Sequence, residues 1–278
     1  MIIPISYVST KRMRMVRKYV EDNTSHQYIL SYADRPDCLF SGVHQKLNIV
    51  LFNKNAAIKH TIYTSDYKFW YKRQRGDLFS NIEFSKVFFT NSDFYPKLSN
   101  KLELDLYKKI LKNENTVLNL QTLNKSHCVY LNKRSAFWTK SFTHKPEKDN
   151  EYTCLKYNKN IQHVCNCLLN SSLFWWFWIK VSDCWHITNK ELSGFKIPEI
   201  DKDLYNEFKI LSTDLEYKLE KTKNKINTKQ AVYEYKHKYC TIEISKIDSM
   251  VAKLYGISDN QQKYLFEFNR NYRLSTGK

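Results

Sequence analysis

Glycine is scarce in this chain. Only Gly42, Gly76, Gly194, Gly256 and Gly277 occur in 278 residues, and no two are close together. A loop that wraps a phosphate or a nucleotide cofactor with backbone N–H groups needs closely spaced glycines, so Walker and Rossmann fingerprints are excluded. Long apolar runs are missing too. No stretch approaches the roughly 20 residues that span a bilayer, and the start lacks the basic-then-apolar pattern of a secretory signal. The expectation is a cytoplasmic protein with no membrane partner. The seven cysteines are odd in number and irregularly spaced, which gives no disulfide framework and fits a reducing compartment.

Recognisable catalytic and metal motifs are also absent. His163, Cys165 and Cys167, followed by Cys184 and His186, lack the cysteine pairs about two to four residues apart that zinc sites use, and read as core cysteines with no metal. Pro36-Asp37 has no nearby Glu-x-Lys partner for a metal-dependent nuclease. The "EYK" at Glu216 falls in a helical tail instead. Acidic residues are few, 28 against 45 lysines and arginines. The resulting net charge of +17 points to a polyanionic partner, the plainer alternative being a solvated basic surface.

What is present is a 42% hydrophobic fraction, enough for one sizeable core or two modest ones. "IIPIS" reads as a short strand. "STKRMRMVRKYVEDN" reads as a helix with Ser9 or Thr10 as N-cap and Met13, Val16 and Val20 on one face. Lys11, Arg12 and Arg14 fall in its first turn, where the helix dipole disfavours cations. A phosphate there would relieve the repulsion, so Arg12 and Arg14 are candidate contacts, with solvated side chains as the ordinary reading. "HQYILSY" and "KLNIVLF" read as two strands at the edge of a sheet, separated by a loop containing Pro36 and Gly42.

Further on, "KLELDLYKKILKN" is a helix with Leu102, Leu106 and Ile110 on one face. "LNSSLFWWFW" is a helix apolar on all sides and therefore buried. Its tryptophans Trp175, Trp176 and Trp178, with Trp185 in the turn that leaves it, read as core, with base stacking as the alternative. The charged stretch after Pro198 reads as three or four packed helices, and "SDNQ" at Ser258 to Gln261 as a capping box. Two stretches interleave cations with aromatics: Tyr67 to Phe79 and Tyr130 to Phe142. Cations contact phosphates and aromatic faces contact bases, which makes Arg73, Arg75, Lys133, Arg134, Trp138 and Lys140 candidate DNA-binding residues. Surface strands of an ordinary domain would look similar.

Six stretches also fall in a particular order: "IIPISYVSTKRMRMVRKYV", "SYADRPDCLFSGVHQKLNIVLFNK", "YKFWYKRQRGDLF", "PKLSNKLE", "LLNSSLFWWFWIKVSDCWHITNKELSGFKIP" and "IDSMVAKLYGISDNQQKYLFEFNRNYR". Together they resemble the carboxy-terminal half of gamma-class adenine-specific DNA methyltransferases, and among these the fused type IIG restriction–modification enzymes. The resemblance runs from Ile2 to about Arg273.

It implies an α+β fold with the last strands of a methyltransferase Rossmann-like sheet in residues 1–58. An irregular α+β target-recognition domain follows in 59–200, and a helical tail in 201–278. It further implies double-stranded DNA as partner and Phe40 as the ring that stacks on an extruded adenine, a Phe plugging the sheet edge being the structural alternative. The family's glycine-rich cofactor motif and Asn-Pro-Pro-Tyr loop do not occur in this sequence. The expectation is therefore that this chain alone binds no cofactor and transfers no methyl group. S-adenosylmethionine and catalysis would belong to a separate polypeptide, the alternatives being a non-enzymatic DNA-binding specificity subunit or a truncated, inactive gene product.

Overall fold

A computed structural model describes residues 1–54, 60–88, 93–122, 127–148 and 150–274. The chain is a mixed α+β protein with several small sheets. It divides into two compact units, Met1–Asp105 with Ile179–Asp183, and Leu106–Trp178 with Cys184–Lys278. The sequence-based boundary between residues 58 and 59 lies outside the described residues.

The first unit is built on a five-stranded sheet. Its elements are β1 (Ile2–Pro4), α1 (Ser6–Ser9), α2 (Arg14–Asn23), β2 (His26–Tyr32), β3 (Leu47–Asn53), β4 (Thr61–Lys68) and β5 (Ser85–Val87), with strand order β1-β3-β2-β4-β5. β2 pairs antiparallel with β3, Ile29 facing Val50, and parallel with β4, Ile29 facing Thr64. The two strands expected at the sheet edge are thus interior. β1 pairs outside β3, and β4 takes the other side of β2, leaving three-residue strands at both edges.

α2 also departs from its apolar pattern. Its face toward the unit is held by Arg17, the one buried residue of the helix, while Met15, Val16 and Tyr19 are exposed. The Arg17 guanidinium donates to the carbonyls of Tyr7 (2.5 Å), Thr10 (3.0 Å) and Asp93 (2.6 Å) and lies 5.3 Å from the Tyr95 ring centre. Three carbonyl acceptors and a ring face replace the water it gave up. No N-cap side chain starts the helix, and a 3-10 turn over Lys11–Met13 leads into it instead.

α3 (Lys101–Leu111) and α5 (Ser172–Val181) supply the charged centre of this unit. Lys180 is 0% exposed and its ammonium sits 2.5 Å from both Asp66 Oδ1 and Glu103 Oε1. Glu103 in turn accepts the Ser99 N–H at 2.7 Å, and Asp66 accepts the Tyr67 N–H at 2.6 Å. Burial works against the charge on Lys180, but the two carboxylates and their hydrogen bonds outweigh it and raise its pKa.

The second unit packs helices α4 (Lys159–Asn170), α6 (Asn189–Gly194), α7 (Tyr205–Thr222), α8 (Thr241–Tyr255), α9 (Asp259–Glu267) and α10 (Arg270–Arg273) with the first residues of α5. A three-stranded antiparallel sheet joins them, β8 (Ser141–Phe142), β7 (His127–Asn132) and β9 (Tyr152–Tyr157) in that order. Two short pairs complete the unit: β6 (Asn115–Thr116) with β10 (Lys196–Ile197), and β11 (Asn224–Lys225) with β12 (Tyr233–Glu234).

Trp175, Trp176 and Trp178 are fully buried, and two of their indole N–H groups donate to main-chain carbonyls: Trp175 to Ala136 (3.0 Å) and Trp178 to His186 (3.1 Å). Trp185, expected in the core with them, is instead exposed, because it falls in the turn beyond the end of the buried helix. α4 is buried along most of its length, including two asparagines. Asn166 donates to Ser212 and Glu216 of α7 (2.9 Å each), and Asn170 to the Ser141 carbonyl of β8 (3.0 Å). α9 opens with the capping box expected from "SDNQ", in which Ser258 and Gln261 accept each other's backbone N–H.

Replacing Lys180 with Met would leave Glu103 charged, buried and without its cation. The expected cost is about 3–5 kcal/mol of stability, read as a lower denaturant midpoint. A change below about 1 kcal/mol would show that the site opens to water.

Candidate nucleic-acid interface

Residues 33–46 connect β2 to β3, and a 3-10 turn, Lys72–Asp77, follows β4. Arg75 joins the two. Its guanidinium lies 4.7 Å from the centre of the buried Trp70 ring and donates to the carbonyls of Cys38 (2.7 Å) and Leu39 (3.2 Å), with Asp37 Oδ2 at 3.4 Å. A planar fork is suited to two successive carbonyls; a point charge is not.

Beneath the clamp, Leu39 packs on the cluster of Leu30, Tyr32, Trp70 and Leu78. The next residue, Phe40, is 47% exposed. The chain reverses there through Phe40–Val43, the Val43 N–H donating to the Phe40 carbonyl at 3.0 Å. Gly42 takes φ +74°, the left-handed conformation such a turn requires at its third residue. The Cys38 thiol donates to the Phe40 carbonyl at 3.0 Å.

The structure therefore brings together two candidate residues 35 positions apart in sequence, Phe40 and Arg75. Arg73 lies on the same turn as Arg75, exposed, 5.5 Å from the Tyr71 ring centre and with no carboxylate partner among the described residues. Phe79 is exposed just beyond, its ring edge-on to Tyr32 at 5.7 Å. Exposed rings and cations on one rigid support can present faces to bases and charges to phosphates.

The other candidates are placed differently. Arg12 and Arg14 are exposed at the start of α2, and Asp93 lies 3.8 Å from Arg14 and 3.6 Å from Lys11. In the second unit, Lys133 donates to the Asn150 carbonyl (3.1 Å) and Arg134 pairs with Glu151 (3.1 Å). Trp138 is half-buried. The Arg273 guanidinium lies 4.0 Å from its ring centre, and its N–H donates to the Arg273 carbonyl at 3.1 Å. Arg273 is itself buried between Trp138 and Trp175 (4.6 Å), and this burial lowers its pKa to about 10 against the pull of Asp248. Burial likewise lowers the pKa of Lys140, with Glu234 opposing. In this stretch the aromatic and cationic groups are engaged with their own unit.

Scanned against models of known protein families the chain matches none, and a search of curated proteins finds no match.

Sequence reasoning missed the carbonyl clamp. Pro36 and Gly42 mark a loop, but no local signal tells which cation will close it. It also missed His237, a fully buried imidazole that donates from Nε2 to Asn170 Oδ1 at 3.1 Å, beside Trp138 and Phe142. Burial, with Lys140 and Arg273 nearby, pushes its pKa down to about 3. No metal-binding group of three or more His, Cys, Asp or Glu side chains occurs among the described residues.

Two outcomes are expected. Arg75→Ala frees the loop, so amide hydrogen exchange at residues 37–43 rises at least about tenfold, and Arg75→Lys does not restore it because an ammonium lacks the fork. Unchanged exchange would assign the loop's order to Leu39 burial alone. For His237, the folded state binds fewer protons than the unfolded state between about pH 6.5 and its lowered folded pKa, so stability falls as pH drops through that window, by up to about 1.4 kcal/mol per pH unit. Urea midpoints at pH 7.5, 6 and 5 should fall more steeply for the wild type than for His237→Gln. Parallel slopes would refute a neutral buried imidazole.

Proposed function

We propose that the chain binds double-stranded DNA as the target-recognition part of a gamma-class adenine-specific DNA methyltransferase of a restriction–modification system. Cofactor and catalysis are then supplied by a separate polypeptide carrying the S-adenosylmethionine pocket. The observation that carries this reading is the Arg75 clamp, which ties the loop of the exposed Phe40 to the turn that carries Arg73. A ring held in this way can fill or flank the gap left by an extruded base without paying to order a loop at that moment. The resemblance of the six ordered stretches supplies the adenine and methyltransferase parts of the proposal.

The separate polypeptide has its own support. Met15, Val16 and Tyr19 on α2, and Leu51 and Phe52 at the end of β3, are exposed in the first unit. Apolar surface of this kind is what a partner covers. A truncated, inactive product would leave the same surface bare, and DNA binding separates the two.

Fluorescence anisotropy with labelled duplex DNA at about 50 and 200 mM salt tests the proposal. Steeply salt-dependent binding is expected. Arg73→Gln should weaken it several-fold and lower the salt slope by about 0.9, the value of one phosphate contact. A folded chain that does not bind, or an Arg73→Gln variant identical to wild type, would overturn the assignment.

A further inference from the structure

The second unit contains an open cleft of about 820 Å³ where the start of α4 meets the turn and first residues of α7. It is lined by Lys159, Asn160 and His163 on one side and by Lys202, Tyr205 and Lys209 on the other, and no carboxylate lines it. None of the three lysines has an acidic partner among the described residues, although salt bridges engage several cations elsewhere in this unit. Like charges around one concavity focus a positive potential, which is relieved by an anion.

His163 adds a directed donor. Its Nδ1 lies 3.1 Å from Ser212 Oγ, and that same oxygen accepts from Asn166 Nδ2 at 2.9 Å. In the tautomer in which the Ser212 hydroxyl donates to Nδ1, the neutral ring carries its own proton on Nε2, its remaining hydrogen-bonding atom. The charged and titratable groups facing this ring are Glu216 and Lys209 from α7, His127 from β7 and Lys159 from α4. Glu216 is already engaged by Asn166, Thr143 and His144 (2.6–3.0 Å).

We propose that this cleft seats a phosphate group, held by Lys159, Lys202 and Lys209 with the His163 Nε2–H donating to it. This inference does not depend on the reading above, because the phosphate could come from a nucleic-acid backbone or from a free phosphorylated ligand. Burial lowers the pKa of His163, with Glu216 opposing and Lys209, His127 and Lys159 adding to the fall. An anion favours the imidazolium and raises that pKa, and binding therefore tightens as pH falls toward 6.

The test follows the histidine ring signals of the full chain by nitrogen-15 NMR, with His163→Gln identifying the His163 signal. Two probes are titrated, inorganic pyrophosphate and a duplex DNA. The expected result is a His163 shift toward the protonated pattern, lost in Lys202→Gln/Lys209→Gln with an affinity loss of at least about tenfold. The control, Lys225→Gln/Lys229→Gln, removes the same charge from an exposed hairpin and should keep the response. A response to DNA alone identifies backbone phosphate as the source, and a response to pyrophosphate alone identifies a free ligand; both support the cleft. A pyrophosphate response in a chain that ignores DNA would refute the DNA reading and leave this one standing. No His163 shift with either probe, or equal losses in the cleft and control variants, would overturn it.

Discussion

A cation taken out of water must be met by an acceptor or a ring face, and this one requirement recurs at each place where the fold buries a positive charge. Arg17 is met by three carbonyls and Tyr95, and Lys180 by two carboxylates. Buried Lys97 is met by the Ser182 carbonyl at 2.6 Å, and Arg273 by the Phe137 carbonyl at 3.3 Å and two indoles. The local structure follows from these partnerships. α2 presents Arg17 inward and leaves its apolar residues outside. The carbonyl of Tyr7 in α1, and that of Thr10 just after it, accept from Arg17 of α2. Where Lys180 meets Asp66, a carboxylate also fixes the backbone of β4 at Tyr67.

The same requirement changes the meaning of the net charge of +17. Several of the cations that produce it are structural and unavailable to a partner. Among the cations with no acid partner among the described residues are Arg73, on the turn after β4 in the first unit, and Lys159, Lys202 and Lys209, which line one cleft in the second. A uniform excess of lysine would attract any polyanion weakly, whereas cations next to a held ring or around a concavity restrict how an anion is oriented.

Legibility from sequence followed the range of the interactions. The strands over His26–Tyr32 and Leu47–Asn53, the helix with Leu106 and Ile110 buried, and the Ser258 capping box depend on near neighbours and were readable. The order of the sheet was not, because it depends on which segments flank β2 and β3 from outside. The inward face of α2 was misread for a similar reason: hydrophobic periodicity counts Met13, Val16 and Val20 and has no means of ranking an arginine whose acceptors lie at Tyr7, Thr10 and Asp93. At the candidate site each residue type was readable, but not its engagement. Trp138 and Arg75 look alike in sequence, one aromatic and one cation in a basic–aromatic stretch. The first is covered by Arg273 and the second clamps a loop, through partners 135 and 36–38 residues away.

The clamp also explains why a residue as costly as an exposed phenylalanine can be kept in place. Exposed alone on a loop, Phe40 would fold back onto the nearest apolar surface, the cluster already filled by Leu39. Arg75 holds the carbonyls immediately before it, and the Gly42 turn reverses the chain immediately after it, so the backbone direction at Phe40 is set from both sides. Leu39 takes the inner position and Phe40 is left outside. Exposure here is imposed by the backbone at a cost in solvation, and such a cost is recovered when another surface, apolar or aromatic, comes to cover the ring.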